Sequence, residues 1–123
     1  SDVCSSDLLE SKIDRLASAL SHGEQRQLEI AMVLATNAKV LLLDEPLAGM
    51  GAQESACMVE LLNQLKQDHA ILLVEHDMDA VFAVADEITV MVNGEVLESG
   101  CPNTIKQSEK VKVAYLGEEE DNA

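Results

Sequence analysis

Basic residues are scarce in this 123-residue chain: 8 Lys and Arg stand against 23 Asp and Glu, a formal net charge of −15. Such a surface repels nucleic acid and anionic lipid headgroups. No apolar run reaches the ~18 residues of a membrane-crossing helix, so any contact with a membrane goes through a partner. The three cysteines, Cys4, Cys57 and Cys101, include no CxxC pair. That excludes a readable zinc knuckle or redox motif, and an odd count without a signal peptide fits a reducing compartment. Aromatic side chains are only Phe82 and Tyr115. No Gly-Lys dipeptide occurs, so the sequence contains no GxxxxGK[ST] phosphate loop. What is present is an ordinary globular composition, 47% hydrophobic, with room for one small domain.

Periodicity predicts an α/β chain. Residues 1–8 are small, polar and unpatterned, and read as a frayed terminus or foreign sequence. Leu9–Ala19 is weakly helical, with Leu9, Ile13 and Leu16 on one face. Ser21 stands three residues before Glu24, the spacing of a capping box. Leu28, Ala31, Met32 and Ala35 follow as the expected apolar stripe of that helix, which should end near Thr36–Asn37. Val40–Leu43 is a continuous apolar run, expected as a parallel strand buried on both faces. A helix over Gln53–Lys66, with Met58, Leu61, Leu62 and Leu65 inward, leads to a second apolar strand, Ala70–Val74. Asp77 can cap a short helix carrying Met78, Val81, Phe82 and Ala85. Glu87–Val92 reads as a strand, Asn93-Gly94 as a hairpin turn, and Val96 and Leu97 as its return. Pro102 opens a short helix. A last helix is expected over Lys110–Leu116, stopped at Gly117, before an acidic tail at 118–123.

Three features can carry chemistry. Asp44 and Glu45 close the first strand, and the carboxyl edge of an open α/β sheet is where ligands bind. The first acid can hold a magnesium ion, through water. The second can orient and deprotonate a water for attack on a phosphate. Leu20-Ser21-His22-Gly23-Glu24-Gln25 is a capped helix start, whose N–H groups and dipole favour an anion. His76 follows the second strand and shares an edge with Glu45 if the two strands are parallel neighbours. Its imidazole can donate a hydrogen bond to a phosphate oxygen. His22 and His69 have no such strand-end setting, and three scattered histidines do not make a metal site.

In this order and spacing the features closely resemble the ATP-binding cassette (ABC) ATPases. Leu20–Gln25 is similar to the family's signature motif and Val40–Glu45 to its Walker B strand. Leu47-Ala48-Gly49-Met50 is similar to the D-loop and His76 to the switch histidine. The resemblance covers Leu16–Leu116. His22 stands where the common signature has a glycine, and Glu24 where it has a glutamine. The run from Leu20 to Ala31, Met50 in the D-loop and the ending Ala114–Glu118 resemble the branched-chain amino acid and urea transporter branch.

The resemblance implies the C-terminal part of a P-loop NTPase-like cassette over 9–117, from a protein about double this length. It implies ATP and Mg2+ as cofactors, with Glu45 and His76 catalytic and Asp44 on the metal. Ser21, His22, Gly23 and Glu24 would meet ATP bound by a second cassette subunit, and Leu47, Ala48, Gly49 and Met50 would form the D-loop. Partners would be that second cassette and transmembrane permease subunits, not nucleic acid, on the inner face of the cell membrane. The phosphate loop, the Q-loop and the base-stacking segment are missing, so the chain reads as a fragment without ATPase activity of its own. Its strands would then expose apolar edges, which predicts poor solubility. Two other readings share some features. A soluble ABC ATPase acting on nucleic acid or the ribosome needs basic patches, which the charge disfavours. A truncated acidic interaction module leaves the four motifs in register unexplained.

Overall fold

The computed structural model describes residues 16–116. The expectations for residues 1–8, Gly117 and the acidic tail, and most of Leu9–Ala19, lie outside the described residues; of the last, a single 3₁₀ turn, Ala17–Ala19, is described. The chain divides into two compact units, one ending at Ala80 and the other beginning at Val81.

In the first unit, α1 (His22–Leu34) begins as its sequence dictates. The Ser21 hydroxyl accepts from the Glu24 N–H at 3.2 Å, and the Ser21 N–H donates to Glu24 Oε1 at 3.1 Å. Two donors that the helix cannot satisfy internally are thereby paired. Removing the hydroxyl in Ser21→Ala should cost about 1 kcal/mol of stability, read as a lower midpoint in urea unfolding with an unchanged slope. The helix ends at Leu34, and Asn37 follows in the left-handed region at φ 59°.

The expected stripe of α1 is not its buried face. Gly23, Gln27 and Ile30 are buried, whereas Ala31, Met32 and Ala35 are exposed and Leu28 is half-buried. Gly23, Gln27 and Ile30 also share one face, at i, i+4, i+7. That face lies toward α2 (Ala52–Leu65), which packs on α1. A Cβ on Gly23 would come within 2.8 Å of the Glu54 carboxylate in the first turn of α2. A small residue is what lets the two helix starts approach this closely. Cys57, Met58 and Leu62 are the buried positions of α2, while Leu61 and Leu65 are half-buried.

Strands β1 (Val40–Asp44) and β2 (Ala70–Val74) pair in parallel, with Leu41 opposite Ile71 and Asp44 opposite Val74. The run was expected to be buried on both sides, but among the described residues only one face is covered. Leu41 is buried, while Val40, Leu42, Leu72 and Val74 are exposed. The pleat sends alternate residues to opposite faces, so Leu42 and Leu72, paired in register, form an apolar stripe with Val40 and Val74.

Helix α3 (Met78–Val84) starts where the Asp77 carboxylate accepts from the Ala80 N–H at 3.2 Å, as its sequence predicts. In the second unit, β3 (Ile88–Val92) and β4 (Glu95–Gly100) form the expected antiparallel hairpin. Both turn residues, Asn93 and Gly94, have positive φ, at 52° and 80°, the requirement that favours Asn-Gly between strands. Helices α4 (Pro102–Gln107) and α5 (Glu109–Val111) pack on β4, burying Ile105 and Val111. The single final helix expected over Lys110–Leu116 is instead α5 followed by a wider π turn, Lys112–Leu116. The Tyr115 hydroxyl donates to the Met91 carbonyl at 2.6 Å and ties that turn to the hairpin.

Candidate functional site

The register of the parallel pair builds the site. Asp44 ends β1 opposite Val74, the last residue of β2, and the Glu45 N–H donates to the Val74 carbonyl at 2.8 Å. The ladder therefore continues one step beyond the strand and fixes Glu45 beside the start of the Glu75-His76-Asp77 segment. Glu45 then turns away in the left-handed region, at φ 47°. A non-glycine residue there carries backbone strain of about 1 kcal/mol or more, a feature concentrated at functional sites. Pro46 follows, and the chain closes into two turns through Ala48 N–H to Glu45 O at 3.1 Å and Met50 N–H to Leu47 O at 3.1 Å.

Glu45 and His76 meet. His76 Nδ1 lies 3.0 Å from Glu45 Oε1. An ionised carboxylate only accepts, so this bond requires the proton on Nδ1. Both side chains remain open to solvent, His76 at 74% and Glu45 at 48% exposure. Asp44 is exposed at the same edge.

Glu75 is the member that sequence reasoning missed. Its side chain is only 1% exposed. One oxygen accepts the Leu47 N–H at 3.3 Å, and the other accepts the His76 N–H at 3.1 Å, with His76 Nδ1 at 3.4 Å. A single carboxylate thus ties the Leu47–Met50 turn to the histidine. The only signal in the sequence was its place next to His76 at a strand end.

The helix start lies against the same turn. A Cβ on Gly49, which has φ 77°, would run into the His22 ring. Glycine is required twice over, for its backbone conformation and for this space. The residues Leu20–Gln25 and Leu47–Met50, far apart in the sequence, are therefore neighbours through His22 and Gly49. Ser21 and His22 are exposed, Gly23 is buried, and Glu24 is engaged in the cap. With Glu24 in the first turn and the Glu54 carboxylate beside Gly23, the positive end of α1 already faces two acids.

Known proteins place this geometry in a family. The family model described as ABC transporter matches residues 1–48. The chain is 43% identical over 107 residues to LivG of Escherichia coli strain K12, described as a high-affinity branched-chain amino acid transport ATP-binding protein. It is 40% identical over 107 residues to BraF of Pseudomonas aeruginosa, which carries the same description. Each match takes in 85% of this chain and 42% of the relative, so the chain spans less than half the length of these curated proteins. Among solved structures, MJ1267, an ATP-binding cassette of an ABC transporter, superposes with a TM-score of 0.77 at 29% identity, over 88% of this chain and 45% of that one. In sequence and in fold, this chain belongs to the ATP-binding cassettes of the ABC transporters.

Proposed function

We propose that the chain is the catalytic-edge portion of an ATP-hydrolysing transporter subunit of the branched-chain amino acid type. The observation that carries this reading is the pairing of His76 Nδ1 with Glu45 Oε1 at the carboxyl edge of the parallel strands. In this role Glu45 is the general base. His76 holds Oε1, and Oε2 is the oxygen left to orient a water and take its proton. Protonated at both nitrogens, the His76 ring donates to Glu45 from Nδ1 and to a terminal phosphate oxygen from Nε2.

Asp44 suits magnesium, being an exposed hard-oxygen donor at the strand end beside Glu45. The ion, when bound, neutralises charge on the phosphates. Ser21, His22 and Gly23 present a capped helix start to the ATP of a second cassette, and Leu47–Met50 lies between that start and Glu75. Permease subunits would hold the assembly on the inner face of the membrane. Among the described residues no helix is long and apolar enough to cross a membrane.

The test is a chimera in which the phosphate-loop half of LivG precedes residues 9–117 of this chain. The chimera should hydrolyse ATP, and the 123-residue chain alone should show none above background, since it has no GxxxxGK[ST] loop. A chimera that folds and binds ATP but never hydrolyses it would overturn the reading.

A further inference from the structure

We propose that Glu45, Glu75 and His76 form a binding site for a first-row transition dication such as zinc. One donor atom from each of the three lies within 4.8 Å of the others. His76 Nδ1 is 3.0 Å from Glu45 Oε1 and 3.4 Å from Glu75 Oε1. Ligands held about 2.0–2.2 Å from one ion, at tetrahedral or octahedral angles, stand roughly 3–3.5 Å from each other. The two separations from His76 Nδ1 are therefore those of neighbouring ligands on one ion, and the two carboxylates lie within 4.8 Å of each other. In the other neutral tautomer, with the proton on Nε2, Nδ1 presents its lone pair to the space beside the Glu45 and Glu75 oxygens.

The site is more than a group of surface acids, because Glu75 is preorganised. Its buried carboxylate is gripped by the N–H groups of Leu47 and His76. Each oxygen has a second lone pair, so these bonds orient the ligand without using it up. Hydrogen bonds of this kind to a ligating group are what hold a metal site in shape. The other two donors are solvent-open, which leaves room for water to complete the coordination. Two carboxylates balance the charge of one dication. The imidazole favours zinc, cobalt or nickel over magnesium and calcium, which prefer oxygen alone.

Binding needs no nucleotide and does not depend on the function proposed above. One consequence does rest on it: an ion on Glu45 and His76 would occupy the base and its partner together, and so block hydrolysis.

The experiment is calorimetric titration of the chain with Zn2+ in a Cys101→Ser background. Among the described residues Cys101 is the thiol to remove: it is exposed, and a hydrogen bond with the Thr104 hydroxyl lowers its thiol pKa; Cys4 is replaced by serine with it. One equivalent should bind, and millimolar Mg2+ should not displace it. His76→Gln and Glu75→Gln should each weaken binding at least tenfold, while His69→Gln leaves it unchanged. His76 is so exposed that its replacement should not disturb folding, so that variant decides if Glu75→Gln unfolds. With Co2+, paramagnetic broadening should appear first at the amides of Leu47, Glu75 and His76. No saturable binding, affinity unchanged in His76→Gln, or broadening centred elsewhere would each overturn the site.

Discussion

Glu45→Gln, placed in a full-length cassette carrying these residues, is expected to leave ATP affinity within a few-fold and to cut turnover by about 10²–10⁴. The amide has nearly the same size and still offers an oxygen to His76 Nδ1, so the 3.0 Å contact can survive. The backbone stays in its left-handed turn, held by the Val74 carbonyl. What is lost is basicity at the other oxygen position, where an –NH2 cannot take a proton from water. A fall in kcat with little change in nucleotide affinity is the signature of a group acting in the transition state only. Single-turnover hydrolysis beside equilibrium binding of a fluorescent ATP analogue would separate the two. Undiminished hydrolysis would remove Glu45 from the base role, and weakened binding with unchanged kcat would make it a ground-state ligand instead.

Most of what builds this edge was legible because it is local. A serine three residues before a glutamate signals its own cap. An apolar run ending in acids signals a strand and its exit, and β2 spans the residues that its pattern predicts. Asn-Gly announces its turn through the two positive φ values it must adopt. The failures are non-local. In α1 the covered face contains a glycine and a glutamine, which no hydrophobic count would choose over Leu28, Ala31, Met32 and Ala35. Which stripe is covered depends on where α2 lies, and α2's position depends on the close approach at Gly23 and Glu54. Glu75 failed for a related reason. A glutamate at a strand end is assigned to solvent by its charge. Its burial becomes reasonable only once the Leu47 N–H, 28 residues away, is known to meet it. The contact of His22 with Gly49 was likewise invisible, since the sequence shows only that one lacks a side chain where the other has a ring.

A buried and an exposed leucine of the first unit should differ sharply in what a lost side chain costs. Leu62, in α2, is 0% exposed, and Leu62→Ala is expected to cost about 2–5 kcal/mol, the transfer term plus the cavity left behind. Against a typical total of about 5–15 kcal/mol, that loss should move the midpoint of urea unfolding far or abolish the cooperative transition. Leu42, in β1, is 73% exposed, so Leu42→Ala in this chain should cost about 0.5 kcal/mol or less. The same chemical change thus separates a buried position from an exposed one. Far-UV circular dichroism during urea titration measures both variants against the parent. In a full-length cassette the Leu42 cost should rise toward that of Leu62, because the paired stripe of Leu42 and Leu72 is continuous apolar surface with no polar atom to lose on burial. A Leu42→Ala cost that stays small in the longer protein would show that the stripe faces water there too. The charged edge at Asp44 and Glu45 would then be anchored from one side of the sheet alone.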